Sequence, residues 1–170
     1  MTTKIFKCIL QSQFDVALVI LGECIWNCPV KRWNGIVGKY PFWQVVYYAQ
    51  YCWDIYTATS KDKWKPNPKF HPAGIADIQE EYPSRTFSKR ELLAYLMYLS
   101  KRIRNSLNRE TESSLKRSSG FSWLKFIGIE LWLYSMRHIQ HHTGQLGSYL
   151  RRVQVNTSWV KSGRALRLRK

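Results

Sequence analysis

The sequence predicts an all-α protein folded as a four-helix bundle. Three observations carry that expectation. Four long stretches place apolar residues at helical spacing. No stretch offers a strand alternation that competes with them. The 170 residues, 45% of them hydrophobic, suit one domain that buries a core without disulfide or metal support.

In the first stretch, Phe14, Ala17, Leu18, Leu21, Cys24, Ile25 and Cys28 share one helical face, and Pro29 ends it. Gly35 and Gly38 fall in a short connector. Pro41 suits the first turn of a second helix. Its inward stripe is Phe42, Val45, Val46, Ala49, Cys52, Trp53 and Tyr56, and it fades near Ser60. A polar loop with Pro66, Pro68 and Pro72 follows, then a short turn of helix between Ala73 and Glu81, stopped by Pro83.

Ser88 and Glu91 have the S-x-x-E spacing of a capping box. They open a third helix carrying Leu92, Tyr95, Leu96, Leu99, Ile103 and Leu107. The polar stretch from Asn108 to Gly120 reads as a loop. The last helix begins between Ser122 and Ile127 and runs through Leu131, Tyr134, His138, His142, Leu146 and Tyr149 to about Val153. The organisation expected is a bundle domain over 1–153 and a basic tail over 154–170.

Charge is the unusual property of the composition. Lys and Arg total 27 against 11 Asp and Glu, a formal net charge of +16. Such an excess points toward nucleic acid or an anionic surface. Seven basic residues and no acidic one lie between Arg151 and Lys170, and seven basic with two acidic between Lys101 and Lys125. No nucleic-acid signature accompanies them, so a solvated tail competes with a phosphate-binding one.

The stretch from Phe14 to Cys28 is interrupted by Asp15 and Glu23, which argues against a membrane span. The first residues lack the pattern of a secretory signal, and a cytoplasmic location is expected. Cys8, Cys24, Cys28 and Cys52 then read as free thiols. Cys24 and Cys28 share a helix face, which suits the core better than catalysis. Eight Trp and ten Tyr serve equally as core fillers or as base-stacking platforms.

Candidate chemistry gathers in the last helix. Of four histidines, His138, His141 and His142 fall within five residues. His138 and His142, at i and i+4, project from the same face one turn apart, a spacing that lets two imidazoles converge on one metal ion. They also lie on the apolar stripe and should face the interior, where core histidines bonded to tyrosine or backbone are the competing reading. His141 is turned about 100° from His142 and should face another helix or a partner. His71 reads as a loop residue. Glu130 lies two turns before His138, too far to be its general base. No Ser-His-Asp order, P-loop or dinucleotide fingerprint is present.

The run Arg137-His138-Ile139-Gln140-His141-His142-Thr143-Gly144-Gln145-Leu146 resembles the final-helix signature of the DinB/YfiT-like superfamily. Asn27-Cys28-Pro29 with Trp33, Pro41-Phe42-Trp43-Gln44-Val45-Val46-Tyr47, Glu81-Tyr82-Pro83, Phe87-Ser88-Lys89, Glu91 to Leu96 and Trp159-Val160 extend the resemblance over nearly the whole chain, in order. It implies a four-helix bundle of up-down-down-up topology, often a homodimer. It also implies a divalent metal, zinc or nickel foremost, held by three histidines and serving S-transfer with a low-molecular-weight thiol, or hydrolysis.

Two of those histidines match His138 and His142. The third belongs in the second helix, where this sequence has Tyr48. A catalytic zinc usually has three protein ligands and an open position, so the site is expected to be incomplete. Tyr48 lines it, and Asp54, about a turn and a half further along, is poorly placed to substitute. Two alternatives stand beside a metal-dependent enzyme: a non-catalytic bundle acting as a binding or structural module, and a basic nucleic-acid-associated protein.

Overall fold

A computed structural model describes residues 2–71, 85–157 and 159–161. The fold is all-α, as predicted. In chain order come α1 (Thr3–Asn27), a single 3-10 turn (Val30–Arg32), a two-residue hairpin of β1 (Ile36–Val37) and β2 (Tyr40–Pro41), α2 (Phe42–Tyr56), α3 (Lys89–Arg109), the short α4 (Glu112–Lys116) and α5 (Gly128–Arg152). The short turn expected between Ala73 and Glu81 and most of the basic tail lie outside the described residues.

The four long helices run up, down, down and up. The top end joins the end of α1 to the start of α3: Trp33 Nε1 donates to Phe87 O at 2.7 Å, and Lys89 Nζ donates to Trp26 O at 3.1 Å and to Cys28 O. Phe42, at the start of α2, packs there against Tyr149, near the end of α5, at 5.7 Å between ring centroids. At the bottom, Lys7 Nζ near the start of α1 donates to Asn108 O at the end of α3, at 2.7 Å. Tyr56, the last residue of α2, meets Tyr134 in the first part of α5 at 5.6 Å.

Helix α1 starts well before the stripe that predicts it, with the Thr2 hydroxyl accepting from Ile5 N–H. It is long and apolar enough to cross a bilayer by length and composition. Here it is a core helix. Phe14, Leu18, Leu21 and Ile25 have no exposed surface. Phe14 sits edge-on to Trp53 at 5.3 Å and to Trp132 at 5.7 Å, so one α1 ring joins α2 to α5. Trp53 Nε1 is satisfied by Ser135 O at 2.9 Å, as a buried indole requires.

The connector after α1 is tight. Gly38 sits at φ +65° in the hairpin turn, and a Cβ on Gly35 would overlap the Tyr149 hydroxyl. Pro41 stands just before α2 rather than in its first turn.

Three departures from the predicted elements have local causes. Helix α2 stops at Tyr56, before Ser60, because Thr57 is held from outside: Arg102 Nε donates to its hydroxyl at 2.7 Å and Ser106 Oγ to its carbonyl at 3.2 Å. The predicted loop after Asn108 contains α4, whose single buried residue is Leu115. Five residues with one apolar anchor leave no period to read. The β1–β2 hairpin is likewise too short to show an alternation. Helix α3, by contrast, opens on the capping box foreseen at Ser88 and Glu91.

Truncating Phe14 removes the ring between two tryptophans and leaves a cavity. Phe14→Ala should cost about 3–5 kcal/mol of stability, read as a lower urea midpoint with an unchanged slope.

Candidate functional site

The helical period of α5 places His138 and His142 one turn apart on the side that faces α2. Their rings are 4.6 Å apart. Tyr48 of α2 closes the triangle, its ring meeting His138 at 5.5 Å and His142 at 5.2 Å, edge-on to both. The three predicted site residues therefore come together. They lie at a half-buried seam between α2 and α5, not in the interior as expected, because the fully buried side of α5 is taken by Ile139, Leu146 and Leu150.

Burial sets the charge of this cluster. It pushes the His138 pKa down to about 4, with His142 and His141 adding repulsion. His142 is lowered as well, chiefly by burial, against the opposing hydrogen bond to Gln145. Both rings are neutral at pH 7. The Gln145 Oε1 lies 2.9 Å from His142 Nδ1, so with that oxygen accepting, Nε2 keeps its lone pair. His138 Nδ1 is buried and has no hydrogen-bond partner. His141 is exposed, with its ring 5.0 Å from His142. Among the described residues no three His, Cys, Asp or Glu side chains converge as metal ligands. The set present is two neutral imidazoles and a phenol, and not the three histidines of the expected centre.

The other candidates have structural roles. Glu130 caps α5, its carboxylate accepting from Ile127 N–H at 3.1 Å. Cys24 is a core thiol whose pKa burial pushes up to about 12, and burial likewise raises Cys28 to about 11. Of the four cysteines only Cys8 is exposed.

A second polar cluster is one the sequence did not reveal. His71 belongs to a loop, as read, yet its side chain is only 4% exposed. Its Nε2 lies 2.8 Å from Asp54 Oδ2 and 2.8 Å from the Tyr95 hydroxyl, and its Nδ1 lies 3.2 Å from the Tyr47 hydroxyl. Whichever ring nitrogen carries the proton, both have partners.

Asp54, on α2, has no exposed surface. It accepts from Tyr95 O–H at 3.1 Å and has Arg102 Nε at 2.8 Å. The Arg102 N–H is aimed at Thr57, so Asp54 Oδ1 receives charge from Arg102 rather than a hydrogen bond. Burial, then the Asp54 charge, raises the Tyr95 hydroxyl well above the usual tyrosine range, which keeps it a donor. The rings of Tyr51 and Trp64 pack edge-on against His71 at 5.7 and 5.0 Å. No helical spacing points to this pairing, because 17 residues and a loop separate Asp54 from His71.

Two outcomes test these assignments. Asp54→Ala strands Arg102 and His71 without their carboxylate and should cost about 3–5 kcal/mol in denaturant unfolding. For His138, the folded pKa lies below that of the unfolded chain, so acid favours unfolding. The stability involved is intact above about pH 6.5 and is lost as pH falls toward 4. In chelator, the urea midpoint of His138→Gln should therefore fall less than that of the wild type between those pH values.

No protein-family model, curated protein or solved structure matches the chain, so the chemistry of these clusters rests on their residues alone.

Proposed function

We propose that this chain is a diverged DinB/YfiT-like four-helix bundle whose α2–α5 seam is a two-histidine site for a divalent metal, zinc or nickel. The observation that carries the reading is the triangle of Tyr48, His138 and His142, with a buried His138 nitrogen left unpartnered. The up-down-down-up order of the long helices supports the family part of it.

His138 and His142 would supply the nitrogens, neutral and ready to ligate at pH 7. Gln145 orients the His142 ring, as outer hydrogen bonds to metal-ligating histidines commonly do. Tyr48 occupies the third corner, where a phenol with an ordinary pKa near 10 is a poor ligand at neutral pH. A metal held there would lower the pKa of a bound thiol or water, which is the chemistry S-transfer or hydrolysis needs. With two histidines the site binds such an ion weakly, and metal-dependent turnover is correspondingly low.

Zinc titration of the wild type beside Tyr48→His and His138→Ala tests this. Tyr48→His should bind more tightly than the wild type and His138→Ala should not bind. Each tenfold gain in affinity adds about 1.4 kcal/mol of stability in excess metal, visible in thermal unfolding. If Tyr48→His binds no better than the wild type, the assignment of the third corner is wrong.

A further inference from the structure

We propose that the bottom end of the molecule, formed where α2 and α3 finish and the chain enters α5, binds single-stranded nucleic acid. Three separate parts of the chain bring cations there: Lys63 beyond α2, Lys101 and Arg109 on α3, and Arg117 beyond α4. They line two adjoining grooves. One, of about 630 Å³, is walled by Lys63, Lys101 and Arg109. The other, of about 240 Å³, is walled by Arg109 and Arg117. Thr57, Thr59, Ser106 and Arg109 belong to both, so the two form one track with hydroxyl groups along it.

The track is built into the fold. Gly120, at φ +76°, lies against Thr59 O so closely that a Cβ would overlap it, which pins the loop before α5 to the end of α2.

The internal partner of Arg109 is neutral, the Ser106 hydroxyl at 3.4 Å. Of the nearby carboxylates, Asp54 faces Arg102 and Glu112 pairs with Lys116; Glu110, in the wall of the second groove, accepts from Trp132 Nε1 and the Ser114 hydroxyl, and Asp62 precedes Lys63 in the chain. Lys63, Lys101, Arg109 and Arg117 make no ion pair with a carboxylate among the described residues. All four are exposed. Trp123 lines neither groove but stands 50% exposed next to Tyr56, a residue in the wall of the second one, with Lys61 Nζ 5.5 Å from its ring centroid.

A cationic track with an exposed indole at its side is the combination that holds a phosphate backbone and stacks a base. Charge spread along two grooves, and not converging on one point, suits an extended polyanion better than a single phosphate. The net charge of +16 draws such a ligand in from a distance. The track is roughly 13 Å along α2 from Tyr48, so the proposal stands apart from the histidine site.

The test is fluorescence anisotropy of a labelled oligothymidylate of about 15 nucleotides, a length within one single-strand site, titrated with the full chain between about 50 and 200 mM salt. Arg109→Gln with Arg117→Gln should weaken binding and reduce the slope of log affinity against log salt by about 1.4, two phosphate contacts at about 0.7 each. Trp123→Ala should lose about tenfold on the oligothymidylate and nothing on an abasic strand of equal length. Lys63→Gln with Lys101→Gln provides a second exposed pair should the arginine variant fail to fold.

Three outcomes overturn the proposal. In one, both groove pairs bind like wild type while neutralising Arg164, Arg167, Arg169 and Lys170 removes the affinity, placing it on the tail. In another, the abasic strand binds as tightly as the oligothymidylate. In the third, vesicles with anionic headgroups bind as well as the oligonucleotide and depend on the same residues.

Discussion

A carboxylate with no exposed surface holds three parts of this chain together. Asp54 sits on α2, Tyr95 and Arg102 reach it from α3, and His71 reaches it from the loop between them. A buried charge is tolerated only when it is paired and hydrogen-bonded. That requirement holds α3 against α2 at the level of Asp54, and it brings His71 of the loop back onto α2. Arg102 links the same centre to Thr57, where α2 stops. The end of one helix, the register of the next and the position of the loop thus follow from one group.

The apolar core supplies the complementary constraint. Phe14 between Trp53 and Trp132 sets the approach of α1 to α2 and α5, and Phe42 against Tyr149 does the same at the other end. Large rings interlock only in particular arrangements, so α2 and α5 meet in a fixed register. The Tyr48–His138–His142 triangle is a product of that register. It lies on a seam already positioned by residues with no part in the chemistry.

The charges separate by depth. Inside, Asp54 and its partners form a closed network, and burial keeps His138 and His142 neutral. Outside, the lower end of the molecule carries Lys63, Lys101, Arg109 and Arg117, none of them in an ion pair among the described residues. An even spread of +16 would say little about function. The alignment of four of these cations along two adjoining grooves is what makes the charge informative.

Much of the architecture was legible locally. Helical spacing identified the four long helices, the Ser88–Glu91 pair marked the start of α3, and the i, i+4 interval placed His138 and His142 on one face, because each of these is governed by the period of a single helix. The sequence by itself therefore determined the all-α class, the histidine pair and the absence of a histidine at Tyr48. Only the tertiary structure decided that Tyr48 meets both imidazoles while Tyr47, one residue earlier, turns to His71 and Tyr95. It alone brought His71 onto Asp54 and aligned Lys63, Lys101, Arg109 and Arg117. Those arrangements depend on how helices pack and loops return, which is set by burial and pairing across the whole chain and leaves no local period to read.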